Sequence, residues 1–260
     1  MIPRALVTAL FALTTFTSAF LLFQVQPLLS KRLLPWFGGS PAVWTTCVLF
    51  FQSLLFAGYA YAHASEHWLP RRVQMALHIV LLAAAFFLLP ILPGDDWKPA
   101  GDSEPIVGIL TILGASVGLA YFLLSSTGPL VSAWFSRVFP ARSPYRLYAL
   151  SNFGSLLALV TYPFLFEPAF SIAEQADYWA WGYRLFALMA AASAVTVLAL
   201  GRTASAASAA KLAMPSCRRS FRSSTGRACW WSRIWRDPYP QCPGTCWRAR
   251  PPVPGRPRPS

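Results

Sequence analysis

The chain has 260 residues, of which 55% are hydrophobic and only 12% charged, against about 25% charged in a soluble domain, so an ordinary water-soluble fold is excluded for most of its length. The net charge of +13 points at first to nucleic acid or acidic lipid, yet residues 1–201 hold ten Lys and Arg against eight Asp and Glu, while residues 202–260 hold twelve against one. The basic balance belongs to a tail, and no specific nucleic-acid partner is expected of the fold.

The first segment, MIPRALVTALFALTTFTSAFLLFQ, has one positive residue and a long apolar run without a small-residue cleavage site, which predicts a retained membrane span. A helix crossing a hydrocarbon core of about 30 Å needs roughly 20 mainly apolar residues. Six segments qualify, near 5–29, 41–64, 71–93, 105–127, 144–166 and 178–200. The third contains IVLLAAAFFLLPILP and is apolar on every face, unlike a soluble amphipathic helix. The expected fold is therefore all-α and polytopic, with lipid as the first partner and both termini on one side.

Between the first two spans, PWFGGSPAVW carries Gly38 and Gly39 for chain reversal. Ser40 followed by Pro41 is a helix-start signal in which the hydroxyl accepts a backbone N–H. Trp36 and Trp44 suit a membrane interface. The stretch is expected to be an outer hairpin, ahead of a substrate gate. Basic residues near span ends are retained in the cytoplasm. An inside N-terminus then puts Arg4, Arg71, Arg72, Arg137, Arg142, Arg146 and Arg202 in the cytoplasm. The other side receives Asp95, Asp96, Asp102, Glu104, Glu167, Glu174 and Asp177. Lys31 and Arg32 go against the rule in the outer loop, with Lys98 and Arg184, and Glu66 is the one acid in an inner loop.

The wording of FQVQPLLSKRLLPWFGGSPAVWTTCVLFFQSLLFAGYAYAH at 23–63 resembles bacterial membrane proteins that fuse a transporter-like region to a spermidine-synthase-like domain. SSTGPLVSAWFSRVFPARSPYRLYALSNFGSLLALVTYPFLFEPAF at 125–170 and WAWGYRLFAL at 179–188 are similar to later parts of the same family. The resemblance implies a membrane region like one half of a major facilitator fold, two inverted groups of three helices. AGYAYAHASEHWLPRRVQ offers Gly58, Arg71 and Arg72 but lacks the Asp of the usual facilitator loop. The glycine-rich turn and carboxylates of a synthase-like domain do not follow residue 200. No enzymatic activity, no catalytic or cofactor-binding residue and no cofactor is therefore expected. The resemblance implies a noncatalytic module at the bacterial inner membrane that partners another membrane half or a synthase-like domain. A component of a small-solute or polyamine transporter is the alternative.

No ionisable residue falls in the middle of an expected span, where such groups mark ion or proton pathways. Neutral polar residues do: Gln52, Asn152, Thr17 and Ser18 either line a path between helices or hydrogen-bond across the bundle, the commoner use. Gly114 with Gly118, and Gly154 with Ala158, are small-residue pairs expected to allow close helix packing. His63, His67 and His78 flank the inner loop without an acid or cysteine cluster, so interface histidines are expected rather than a metal site. The outer acids with Trp97, Trp179 and Trp181 could attract a polyamine, although acidic outer loops also follow from retention of basic residues inside.

Residues 202–260 form a separate region rich in Arg, Pro, Ser and Cys, with too few aliphatic residues for a core, so disorder is expected. Cys242 and Cys246 form a C-x3-C with no nearby His, a weak zinc signal. Such a mixture is what a GC-rich gene yields out of frame. A departure from the family frame between Gly201 and Ser216, leaving a truncated product, is the expectation to test on the nucleotide sequence.

Overall fold

The computed structural model describes residues 4–98, 105–139 and 142–213, with side chains up to residue 200. Six helices follow in order: α1 (Arg4–Phe37), α2 (Pro41–Trp68), α3 (Arg71–Phe87), α4 (Pro105–Val138), α5 (Tyr145–Ala169) and α6 (Ile172–Ala213). A short 3-10 turn, Asp95–Trp97, lies between α3 and α4, and no strand occurs among the described residues. All but α3 are long and apolar enough to cross a membrane. The chain is an all-α, multi-pass membrane protein, as composition and segment length predict.

The third span is shorter than expected. α3 has 17 residues, which at 1.5 Å per residue reach about 25 Å rather than a full hydrocarbon core of about 30 Å. Its helix stops at Phe87 and not near 93. Pro90 has no N–H to give the carbonyl of Phe86, and its ring disfavours a helical residue before it.

The first helix is longer than expected, because α1 stays helical through Pro27 and Pro35 and ends only where Gly38 takes a φ of +79°. That conformation favours glycine, which has no Cβ to clash. Lys31 and Arg32 are therefore helical rather than in a loop. Ser40 is at the N-cap of α2 with Pro41 behind it, but its hydroxyl makes no capping bond. Its carbonyl accepts from the amides of Val43 and Trp44 instead.

α6 begins with a capping box. The Ser171 amide donates to Glu174 Oε2 at 2.8 Å and the Glu174 amide returns to Ser171 Oγ at 3.3 Å. The helix then continues to Ala213, past the expected boundary at 201, because RTASAASAAKLA is rich in alanine, the best helix former. The compact membrane unit spans Met1–Met214. The expectations of disorder and a shifted frame beyond residue 213 lie outside the described residues.

α1 occupies the middle of the bundle, against α4, α5 and α6, while α2 packs mainly on α4 and α3 on α6. One apolar core joins Leu21, Leu28 and Leu33 of α1 to Cys47 and Phe51 of α2, Tyr121 of α4 and Tyr183 of α6. A second, nearer the Arg-rich end, gathers Phe11, Met75, Trp134, Phe135 and Leu147. Exposed Phe56, Phe87, Phe164 and Trp181 form an outer surface whose natural solvent is lipid. Hydroxyls inside the helices donate to their own preceding turn, as Thr14 does to the Leu10 carbonyl at 2.7 Å and Thr15 to that of Phe11 at 2.9 Å.

Candidate functional site: a polar cleft between four helices

Between the two cores, α1, α2, α4 and α5 leave a cleft of about 230 Å³. Its polar lining comes from Ser18, Tyr59, Ser125, Ser151, Asn152 and Ser155, and its apolar lining includes Leu22, Phe23, Leu55 and Leu124. The spacing of Ser151 and Ser155 on α5 is one helical turn, so both reach the same face, with Asn152 beside them.

Most of the hydroxyl protons here are already committed. Ser18 donates to the Leu124 carbonyl at 2.7 Å, bridging α1 to α4. Ser125 donates to the Phe122 carbonyl at 2.8 Å and Ser155 to that of Ser151 at 3.0 Å. Each such oxygen keeps lone pairs free to accept, while the exposed Asn152 carboxamide and Tyr59 hydroxyl, and the Ser151 hydroxyl, make no hydrogen bond among the described residues. The wall therefore offers uncommitted donors on three side chains, Tyr59, Ser151 and Asn152, and acceptors on several. It carries no charged side chain.

Of the four residues predicted to line a path, the structure brings Ser18 and Asn152 together in the cleft. Gln52 lies exposed on α2 and Thr17 half-buried on α1, and neither belongs to the lining. Tyr59, Ser125, Ser151 and Ser155 were not singled out from sequence. The i, i+4 serine pair on α5 was the available signal.

The two small-residue pairs also divide. A Cβ on Gly154 would stand 2.9 Å from the backbone carbonyl oxygen of Phe16, and Ala158 is fully buried one turn on, so this face carries the close approach of α5 to α1. Gly114 and Gly118 do not serve helix packing: a Cβ on Gly114 would meet nothing within 4 Å, and one on Gly118 only its own helix's Leu113 carbonyl at 3.8 Å. They bound a π-helical turn, Gly114–Gly118, instead. A similar widening at Tyr162–Phe166 contains Pro163, whose missing N–H interrupts the ladder.

No family model matches the chain, and neither a curated protein nor a solved structure matches it.

The helix ends are held by ion pairs. Lys31 Nζ lies 2.6 Å from Glu167 Oε1 and Arg32 Nη2 lies 2.8 Å from Asp95 Oδ1, so two of the four basic residues that break the charge asymmetry have an acid beside them. At the opposite end Glu66 pairs with Arg137. Arg184 covers Trp181, its carbon 4.7 Å from the ring centroid, and Arg32 covers Trp36 at 4.9 Å. Trp179 is buried and donates its Nε1–H to the Leu21 carbonyl at 2.9 Å. Two of the three tryptophans in the expected polyamine-attracting group thus have other partners.

His63 and His67 are exposed on α2. His78 departs from the expectation of an interface histidine: it is fully buried on α3, with Nε2 3.2 Å from Thr127 Oγ1 of α4. Among the described residues no group of His, Cys, Asp and Glu is arranged to hold a metal.

Proposed function

We propose that the chain is a noncatalytic, transporter-like module of the bacterial inner membrane. Its cleft receives a small uncharged polar solute, and its open side is closed by another membrane half. The observation that carries the reading is the lining of hydroxyl and carboxamide groups at mid-height in a lipid-embedded bundle. Polar groups without partners are costly in hydrocarbon, so a face that displays Asn152 and Tyr59 is suited to water, solute or protein rather than acyl chains.

The absence of charge in the lining selects among ligands. A polyamine would bring ammonium groups into a cleft with no carboxylate to pair them, whereas a neutral polyol or amide exchanges hydrogen bonds with serine, tyrosine and asparagine. A neutral solute is therefore preferred over the polyamine that the family resemblance suggests. The resemblance also supports the pairing with another membrane half or a synthase-like domain.

Cysteine labelling tests the cleft. In a cysteine-free background in native membranes, Asn152→Cys and Ser155→Cys should react with a hydrophilic maleimide, while Phe153→Cys, exposed on the face of the same helix turned away from Ser151 and Ser155, should stay unlabelled. Full protection of both cleft positions would defeat the reading.

A further inference from the structure

A second polar group lies behind the wall of the cleft, toward the Arg-rich end. Its centre is His78, fully buried on α3. The Thr127 hydroxyl donates to the Leu123 carbonyl at 2.6 Å. A hydroxyl has one proton, so toward the ring Thr127 Oγ1 is an acceptor, and the 3.2 Å contact with Nε2 assigns the ring proton to Nε2. The lone pair then resides on Nδ1. That atom is buried and without a hydrogen-bond partner.

The Tyr61 ring of α2 lies nearly parallel to the imidazole, centroids 6.2 Å apart, and its hydroxyl is likewise buried without a partner. An unused donor and an unused acceptor thus stand on neighbouring rings. From α4, the Trp134 ring meets the imidazole edge-on at 6.0 Å. From α3 itself, Gln74 lies one turn before His78. It donates from Nε2 to Glu66 Oε2 at 3.0 Å and accepts from Trp134 Nε1 at 3.5 Å. Glu66 also holds Arg137. From α6, the charged residue recorded against α3 is Arg184, over Phe86 at the far end of the helix.

We propose that His78 is a buried proton-binding site whose Nδ1 lone pair takes a proton from hydronium, leaving water, and whose imidazolium competes with Arg137 for Glu66. The protonated ring has two N–H groups. Thr127 keeps the first, and the Tyr61 oxygen, directly or through a water, accepts the second. The positive charge needs a counter-charge in the low-dielectric interior, and Glu66, which accepts from Gln74 one turn before His78 on α3, is the nearby carboxylate. It is already committed to Arg137, so proton uptake and the ion pair that fastens the end of α2 to α4 oppose each other.

The site adjoins the solute cleft through shared helix turns. Thr127 lies between Ser125 and Gly128, which line the cleft, and Tyr61 follows Tyr59 by two residues. Movement of α2 or α4 would therefore reach both sites. The proton site does not depend on the identity of the solute.

Nitrogen-15 NMR of histidine-labelled protein in lipid nanodiscs tests it, using a His63→Gln/His67→Gln parent so that His78 is the only histidine signal. The expected result at pH 7.5 is a neutral ring protonated at Nε2. Adding Arg137→Gln should free Glu66 and shift reversible ring protonation to higher pH by at least about tenfold in proton affinity. Adding Glu66→Gln instead should shift it the other way, which keeps the test intact if the Arg137 variant fails to fold. A ring protonated at Nδ1 at pH 7.5, or the same titration with and without the Glu66–Arg137 pair, would overturn the proposal.

Discussion

Gly154 of α5 packs directly on the backbone of Phe16 in α1: a Cβ there would come 2.9 Å from the carbonyl oxygen and 3.2 Å from the phenylalanine ring. Backbone cannot move aside as a flexible side chain can. Gly154→Val should force α5 off α1 at a cost of about 1–3 kcal/mol, read as a lower thermal unfolding midpoint in mild detergent. Gly114→Ala, where a Cβ meets nothing within 4 Å, should leave the midpoint unchanged or slightly raised.

Trp179 ties α6 to α1 by donating its indole N–H to the Leu21 carbonyl at 2.9 Å while the ring is 3% exposed. Trp179→Phe keeps most of the apolar surface but loses the hydrogen bond. The expected loss is about 0.5–1.5 kcal/mol, measured by the same unfolding assay, and Trp179→Ala should cost distinctly more by opening a cavity.

The ion pairs at the two ends should differ in weight. Lys31 and Glu167 are each 41% exposed, whereas Glu66 and Arg137 are each 28% exposed and share the network with Gln74. Breaking the first pair with Lys31→Gln should change stability by no more than about 1 kcal/mol and less at high salt. Glu66→Gln should cost more and respond weakly to salt. Equal losses for both pairs would refute the ranking.

The charge asymmetry predicts sidedness. Fusions of a periplasm-active phosphatase placed after residue 98 should be active, and fusions placed after residue 142 should be inactive, because the Arg-rich end is expected in the cytoplasm. Reversed activities would invert the orientation while leaving the bundle intact.

Length and hydropathy made the number and order of the helices legible, since the bilayer sets both requirements independently of detailed packing. Their ends were less legible. Proline cut α3 at Phe87, yet Pro27 and Pro35 did not end α1, because whether a proline stops a helix depends on what else satisfies the freed carbonyl. The cleft was half visible: Ser18 and Asn152 stood out as polar residues in apolar runs, but Gln52 looked the same in sequence and lies outside the lining. Position along a span says how deep a residue lies and not which helix its face meets. The same limit separates Gly154 from Gly114, and it hid His78, which its place beside the inner loop had put at an interface.

Membrane extraction tests the central claim most directly. Untagged protein in native membranes should remain in the pellet through high-salt and alkaline-carbonate washes and be released only by detergent. Recovery of a monodisperse polypeptide in the wash supernatant, without detergent, would contradict a bundle that threads the bilayer.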